Sequence, residues 1–246
     1  MVYSYTNTLN AFAAKLLEDE AKKLSVLLVF QNQYCQLHTT RSWNFIGLPT
    51  IAKRRLKSNS DIIVALFDTG FTPESKSFKD DGFGPPPARW KGSCDHYGLF
   101  LSANGNPDPS YILFPVDADG HGTHTASTVA CNLVPNANLF GLANGTARGA
   151  EPSARLANYK VCWSSSGCAN MDILAAFDAA IHDGVDVISI SIGGGNPSYV
   201  EDSISIGAFH AMRKGIITVA SAGNSCPSPG TVTNIAPWIV TVVATS

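Results

Sequence analysis

The chain has 246 residues, 45% of them hydrophobic, and a formal net charge of −2. That composition suffices for one large core, or one core with a small appended unit. The near-neutral balance excludes an electrostatic case for nucleic acid or a membrane surface as partner, and no apolar run approaches the roughly 18 residues that a membrane span needs. The opening stretch MVYSYTNTLNAFAAKLLEDE lacks a basic start and an apolar core, so no signal peptide is read there.

Asn10–Leu16 alternates in part, with Phe12, Ala14 and Leu16 on one side, and predicts a half-buried strand. LEDEAKKL follows, with Glu18/Lys22 and Asp19/Lys23 at i,i+4, and predicts an exposed helix. VLLVF (26–30) and QYCQLH (33–38) predict strands, so that residues 1–38 form a small α+β unit. Residues 39–60 are polar with Pro and Gly and predict a linker or arm. DIIVALFD (61–68) is a continuous apolar run, as expected of a strand buried on both faces. Residues 79–118, rich in Gly, Pro, Asp and Ser, predict a long irregular loop of the kind that is usually functional.

From His121 the pattern alternates. HGTHTASTVA opens a helix, ARLANYKV is a strand, and MDILAAFDAAIHDG is a helix with Ile173, Leu174, Phe177 and Ile181 on one face, ended by Gly184. VDVISISI is a strand, DSISIGAFHAMRKG a helix closed by Gly215, and IITVASAGN and PWIVTVVATS are two further strands. Repeated β-α-β units predict an α/β fold: a parallel sheet with helices on both faces, its chemistry at the carboxyl ends of the strands.

Six cysteines are present: Cys35, Cys94, Cys131, Cys162, Cys168 and Cys226. Cys162 and Cys168 are close enough in sequence for a local disulfide, and two free thiols fit equally well; the spacing matches no common zinc pattern.

Three strand ends and one helix start carry chemistry-bearing residues. Asp68 closes the DIIVALFD strand, either as a turn aspartate or as a carboxylate that orients a histidine. His121 opens a helix between Gly120 and Gly122, where the dipole disfavours its cation unless a carboxylate compensates. His124 is three residues on; helical zinc pairs are usually i,i+4, no third ligand stands out, and a packed or surface histidine is the simpler reading. His38, His96, His182 and His210 lack comparable context. In SAGN, Asn224 follows a strand and can aim its amide at a developing oxyanion, or simply make a turn. SISIGGG (189–195) strips side chains from a strand end, leaving a flexible turn or an edge for an extended peptide.

Together these segments resemble the subtilisin-like serine proteases, and most closely the plant subtilases. ALFDTG is similar to the segment around their catalytic aspartate, DGHGTHTAST to the histidine segment, DGVDVISISIGG to the substrate-binding strand and ITVASAGN to the oxyanion segment. WKGSC, GTARGAEPSARLANYKVCW and DILAAFDAAI also resemble plant members. The order aspartate, histidine, oxyanion asparagine is that of subtilisin itself. The resemblance implies a subtilisin-like parallel sheet, incomplete here, preceded by a partial ferredoxin-like α+β propeptide of the inhibitor type at 1–38, with the N-terminal part of the peptidase domain at 39–246. It implies processing between His38 and Thr39 within LHTTRSW, and a propeptide that blocks the cleft until cut away.

Carried over, Asp68 orients the base, His121 is the general base and acid, and Asn224 is the oxyanion donor. Ser191, Ile192 and Gly193 pair with substrate backbone, and Ser221, Ala222 and Gly223 wall the pocket for the residue before the scissile bond. The implied partner is a peptide or protein substrate, with no metal and no cofactor, in an extracellular setting. Asn144-Gly145-Thr146 is a glycosylation acceptor for a secreted chain.

The family's nucleophile sits in a Gly-Thr-Ser-Met segment, and Ser189, Ser191, Ser221, Ser225 and Ser246 do not match it. The chain is therefore expected to be a truncated member, inactive by itself because His121 has no hydroxyl to deprotonate. The alternative from another class is a non-catalytic remnant that binds peptides or a full-length relative. An aspartic protease, suggested by Asp-Thr-Gly alone, needs a second such carboxylate, and the sequence has one such triplet.

Overall fold

A computed structural model of the chain describes residues 2–8, 10–24, 26, 28–32, 34–37, 61–92, 116–163, 166–225 and 228–243. The expected linker at 39–60, most of the expected loop at 79–118, the His38–Thr39 junction, His96, Cys94 and Cys226 lie outside the described residues.

The chain opens with β1 (Tyr3–Tyr5) and β2 (Ala11–Ala13), paired antiparallel. α1 (Glu18–Ala21) is a single exposed turn, with Lys22 and Glu18 2.6 Å apart. The strand expected over 26–30 does not form at the described positions. Val26, Leu28 and Val29 are exposed, and an apolar run with no ladder partner stays irregular. β3 (Tyr34–Leu37) does form.

β4 (Ile63–Asp68) leads to a 3-10 turn (Lys76–Phe78) and then α2 (His121–Ala130). A hairpin of β5 (Val134–Leu139) and β6 (Leu142–Ala147) follows, which the sequence pattern did not predict. β7 (Arg155–Lys160) returns to the sheet. β8 (Cys162–Trp163) and β9 (Gly167–Ala169) make a second small hairpin before α3 (Asn170–Asp183). The rest is β10 (Val187–Ile190), β11 (Ile192–Gly193), α4 (Ser203–Arg213), β12 (Ile217–Ser221) and β13 (Ile239–Val242).

The central sheet runs β13-β12-β10-β4-β7, all parallel. Every residue of β4 is buried, which is why it reads as an unbroken apolar run. Ile63, Ala65 and Phe67 join the core under α3 and α4, with Phe67 edge-on to Phe177 at 4.9 Å between centroids. Val64 faces the other way, toward Ala130 of α2 and Ala154. Phe67 and Phe177 are fully buried, each contributing roughly 2–3 kcal/mol of burial. α4 starts on the Asp202 carboxylate, which accepts from the N–H groups of Ile204 and Ser205.

The first strands lie on α3. Tyr3 donates its hydroxyl to Asp172 Oδ1 at 2.7 Å. Asp178 collects the N–H of Asn7 (3.1 Å), and the N–H and hydroxyl of Thr8 (2.6 and 2.9 Å). Tyr5 and Leu174 bury each other's apolar surface, with Phe30 alongside.

Register sets the rim. Phe67, Ile190, Ala220 and Thr241 stand abreast across the sheet. One step on, Asp68, Ser191 and Ser221 reach the carboxyl edge together, on strands spaced about 4.8 Å apart.

Candidate active site

Asp68 is 1% exposed. A buried carboxylate needs donors, and the short ones are the Thr69 N–H at 2.8 Å and His121 Nδ1 at 2.7 Å on Oδ1, and the Thr125 hydroxyl at 2.9 Å on Oδ2, with the Thr69 hydroxyl farther off at 3.4 Å from Oδ1. With Nδ1 donating to the carboxylate, Nε2 is the ring's basic nitrogen.

The approach of α2 to the end of β4 is set by glycine. A Cβ on Gly122 would stand 2.0 Å from Gly70 O, so any side chain there pushes the helix off the strand. The Gly122 N–H donates to Thr69 Oγ1 at 2.8 Å, and Thr69 Oγ1 donates to Asp117 Oδ1 at 2.8 Å. Gly120 turns the chain into α2 with φ 99°.

Asp117 holds that turn. Its carboxylate accepts the N–H groups of Asp119 and Gly120 at 2.9 Å, and the N–H and hydroxyl of Thr123 at 2.8 and 2.6 Å. Partial burial works against ionisation, yet the Thr123 hydroxyl and these N–H groups bring the Asp117 carboxyl down to about 2. An anion at a helix start also suits the dipole. So the first turn of α2, and His121 with it, is fixed from two sides: by Asp68 in front and Asp117 behind.

The neighbouring strands are joined through backbone. β10 ends at Ile190, and β11 leaves the parallel sheet to pair antiparallel with β3: Ile192 with Leu37 and Gly193 with Gln36. The other edge of β3 pairs with β9, Tyr34 with Ala169 and Cys35 with Cys168. The chain's own residues 34–37 thus lie as an extended strand between two edges. Cys162 and Cys168 are joined by a disulfide that ties β8 to β9.

Ser221 ends β12; Ala222 is buried, donates its N–H to Val242 O at 2.9 Å and accepts from Thr233 at 3.0 Å. Gly223 has φ 96°, and Asn224 follows it, exposed, in the turn beyond the strand. The structure brings Asp68 and His121 into contact and sets Asn224 on the same rim. His124 is exposed on α2, and among the described residues no group of three His, Cys, Asp or Glu side chains gathers for a metal. No helix among them is long and apolar enough to cross a membrane.

Four supporting residues escaped the sequence reading: Thr69, Asp117, Thr125 and Asn234. Asn234 is 7% exposed with φ 57°, and its Nδ2 donates to Ile192 O at 2.9 Å and Ser221 O at 2.8 Å. It ties β11 to the end of β12. Asp117 had a signal, an acid ahead of a helix start; a lone asparagine in a turn had none.

A model of the subtilase family matches residues 59–246. The subtilisin-like protease SBT4.14 of Arabidopsis thaliana is 61% identical, over 99% of this chain and 35% of its own length. The subtilisin-like protease SBT4.15 of the same plant is 53% identical, over 100% of this chain and 34% of its own. The chain therefore spans about a third of the length of these relatives. Among solved structures, the epidermin leader peptide processing serine protease of Staphylococcus aureus is 21% identical with a TM-score of 0.47, over 68% of this chain and 38% of that one.

Proposed function

The chain belongs to the subtilase family, and from that premise we propose that it supplies the aspartate and histidine of a serine-type endopeptidase of the Asp-His-Ser type. The observation that carries this reading is the 2.7 Å contact of His121 Nδ1 with the buried carboxylate of Asp68. In it, Asp68 holds the imidazole in the Nδ1–H tautomer and stabilises its cation, while His121 Nε2 takes the nucleophile's proton and returns it to the leaving amine. Asn224 donates to the oxyanion. Ser191, Ile192 and Gly193 pair with substrate backbone, and Ser221, Ala222 and Gly223 wall the adjoining pocket. No metal or cofactor takes part.

The nucleophile belongs to a Gly-Thr-Ser-Met segment outside these 246 residues. Residues 1–38 act as an inhibitor-type propeptide and 39–246 as peptidase. The pairing of β3 with both β11 and β9 supports this, because a strand held there occupies the place of an extended substrate. The disulfide fits an oxidising, secreted setting.

The test is active-site labelling. The 246-residue polypeptide is expected to resist a fluorophosphonate; a chain continued through a Gly-Thr-Ser-Met segment is expected to be labelled at that serine, and H121A to abolish labelling. Labelling of any serine within the 246 residues overturns the placement of the nucleophile, and labelling that survives H121A overturns the role of His121. The same β11 edge favours a second reading, a non-catalytic peptide binder. Capture of an extended peptide or a full-length relative by a chain whose continued form cannot be labelled selects it.

A further inference from the structure

One buried side chain reaches the backbone of both β11 and the end of β12. Asn234 is 7% exposed, and its Nδ2 donates to Ile192 O at 2.9 Å and to Ser221 O at 2.8 Å. A carboxamide supplies two N–H donors from one atom, and both are used here. The backbone that carries it is fixed on either side. The Thr233 N–H donates to Ala222 O at 3.0 Å, and the Thr241 hydroxyl donates to Asn234 O. The φ of 57° at Asn234 lies in the left-handed region, which asparagine enters at less cost than most residues.

In a planar trans peptide the C=O and the next N–H point in opposite directions. With Ser221 O on Asn234, the Ala222 N–H points away from it, and it donates to Val242 O at 2.9 Å. By the same rule, Ile192 O on Asn234 turns the Gly193 N–H to the far edge of β11, where β3 pairs. The two peptides differ in what else fixes them. Ser221 and Ala222 continue the parallel ladder with β13. β11 is two residues long, has left that ladder, and runs on into Gly194 and Gly195, where a peptide rotates against little steric resistance.

We propose that Asn234 is a positioning residue for substrate recognition: by holding Ile192 O it sets the Ile192–Gly193 peptide so that the Gly193 N–H is presented to the backbone of an extended peptide lying along β11. Asn234 touches no reacting atom. The role rests on the reading of β11 as the substrate edge given above. Without the Nδ2 donor the Ile192–Gly193 peptide is free to rotate, and an extended peptide binds more weakly because it has to restore the setting. Ser221 keeps its orientation through the ladder with β13, so the wall at Ser221, Ala222 and Gly223 stays in place. The loss therefore falls on substrates long enough to pair with β11 and spares those that fill only the adjoining pocket.

Two variants test this. N234D puts an acceptor of the same shape where the donor stood, and N234G removes the side chain while suiting the positive φ. In the 246-residue chain, amide hydrogen exchange compares two sites in one molecule. The Gly193 amide is expected to exchange about tenfold faster in both variants, while the Ala222 amide, bonded to Val242 O, keeps the parent's rate. In a chain continued through the Gly-Thr-Ser-Met segment, KM for a tetrapeptide amide is expected to rise about tenfold with kcat little changed, while a single-residue ester keeps the parent's kcat and KM. Unchanged Gly193 exchange in both variants overturns the proposal. So does an equal loss on the two substrates, which marks Asn234 as a structural tie alone. A continued parent chain that cleaves neither substrate overturns the reading of the site instead; Gly193 exchange, which needs no turnover, still confirms or overturns the hold of Asn234 on the peptide.

Discussion

Between β4 and α2 the candidate site is knitted by side chains; between β11, β3 and β9 it is held by backbone ladders. The first half depends on the identity of each residue: Asp68, His121, Thr125 and Asp117 each make bonds that no other side chain reproduces at the same distance. The second half depends on which edges meet, and Tyr34–Leu37 pairs through N–H and C=O groups that every residue but proline carries. The geometry around Asp68 and His121 is thus specified locally and tightly by side chains, whereas the β11 and β9 edges are paired through backbone groups alone. Substitutions in the knitted half are expected to cost rate or stability outright.

The largest effect expected is that of D68N in a chain that includes the Gly-Thr-Ser-Met segment. Asparagine keeps the shape, loses the charge and favours the wrong imidazole tautomer. kcat is expected to fall about 10⁴-fold, the size of loss that follows removal of the orienting carboxylate in serine proteases, with KM little changed. A drop below tenfold in steady-state kinetics would show that His121 is oriented by something else.

Next is G122A. Its Cβ would lie 2.0 Å from Gly70 O, a backbone atom that has nowhere to go while β4 stays paired. Overpacking of this kind is expected to cost about 3 kcal/mol and to lower Tm by about 10 °C. G145A, where the added atom meets nothing within 4 Å, is the matching control and should leave Tm unmoved. Equal Tm values for the two variants would mean that the close approach of α2 to β4 is not what holds this half together.

D172N probes the contact beneath the N-terminal strands. Burial pushes the Asp172 carboxyl up to about 6, against the pull of the Tyr3 hydroxyl. Its contribution to stability is therefore complete below the ordinary carboxylate range and is lost as pH rises through about 6. Asparagine removes that loss, so D172N is expected to be more stable than the parent at pH 7 by about 2 kcal/mol, and to flatten the rise in stability on acidification from pH 7 to pH 4. Denaturant midpoints at the two pH values measure it; parallel curves for parent and variant would refute it.

The contrast between the two halves also explains what the sequence made legible. β4 announced itself because both its faces are buried, and α3 and α4 because apolar faces end at Gly184 and Gly215, where positive φ stops a helix. DGHGTHTAST was readable because His121, Gly122, Thr123 and Thr125 in it make contacts tied to their residue types. The β5–β6 hairpin was not: its strands carry Pro135, Asn136, Asn138 and Asn144, and its turn at Phe140 is 98% exposed with φ 51°, so no apolar alternation marks it. Nor were the partners of β3 readable, since ladder bonds leave no trace in side-chain type. Asn234 stayed hidden because a turn asparagine looks the same whichever carbonyls it meets.

The smallest effect expected, and the one that divides the two halves most sharply, is that of D117N. Asp117 is ionised in the fold down to about pH 2, where hydrogen bonds from Thr123, Gly120 and Asp119 outweigh its partial burial. A depressed carboxyl contributes stability that is present above its unfolded range, near 3.8, and is lost as pH falls through about 2. This is the opposite sign to Asp172, so parent stability should pass through a maximum between the two. Asp117 is half-buried, and after solvent screening its share is about 1 kcal/mol. D117N should lose that much at pH 7 and show no further loss from pH 4 to pH 2, while the upper limb set by Asp172 stays unchanged. If instead D117N keeps the parent's acid limb, the first turn of α2 is held by Gly120, Gly122 and the Asp68 contact alone, and the second support behind His121 has to be given up.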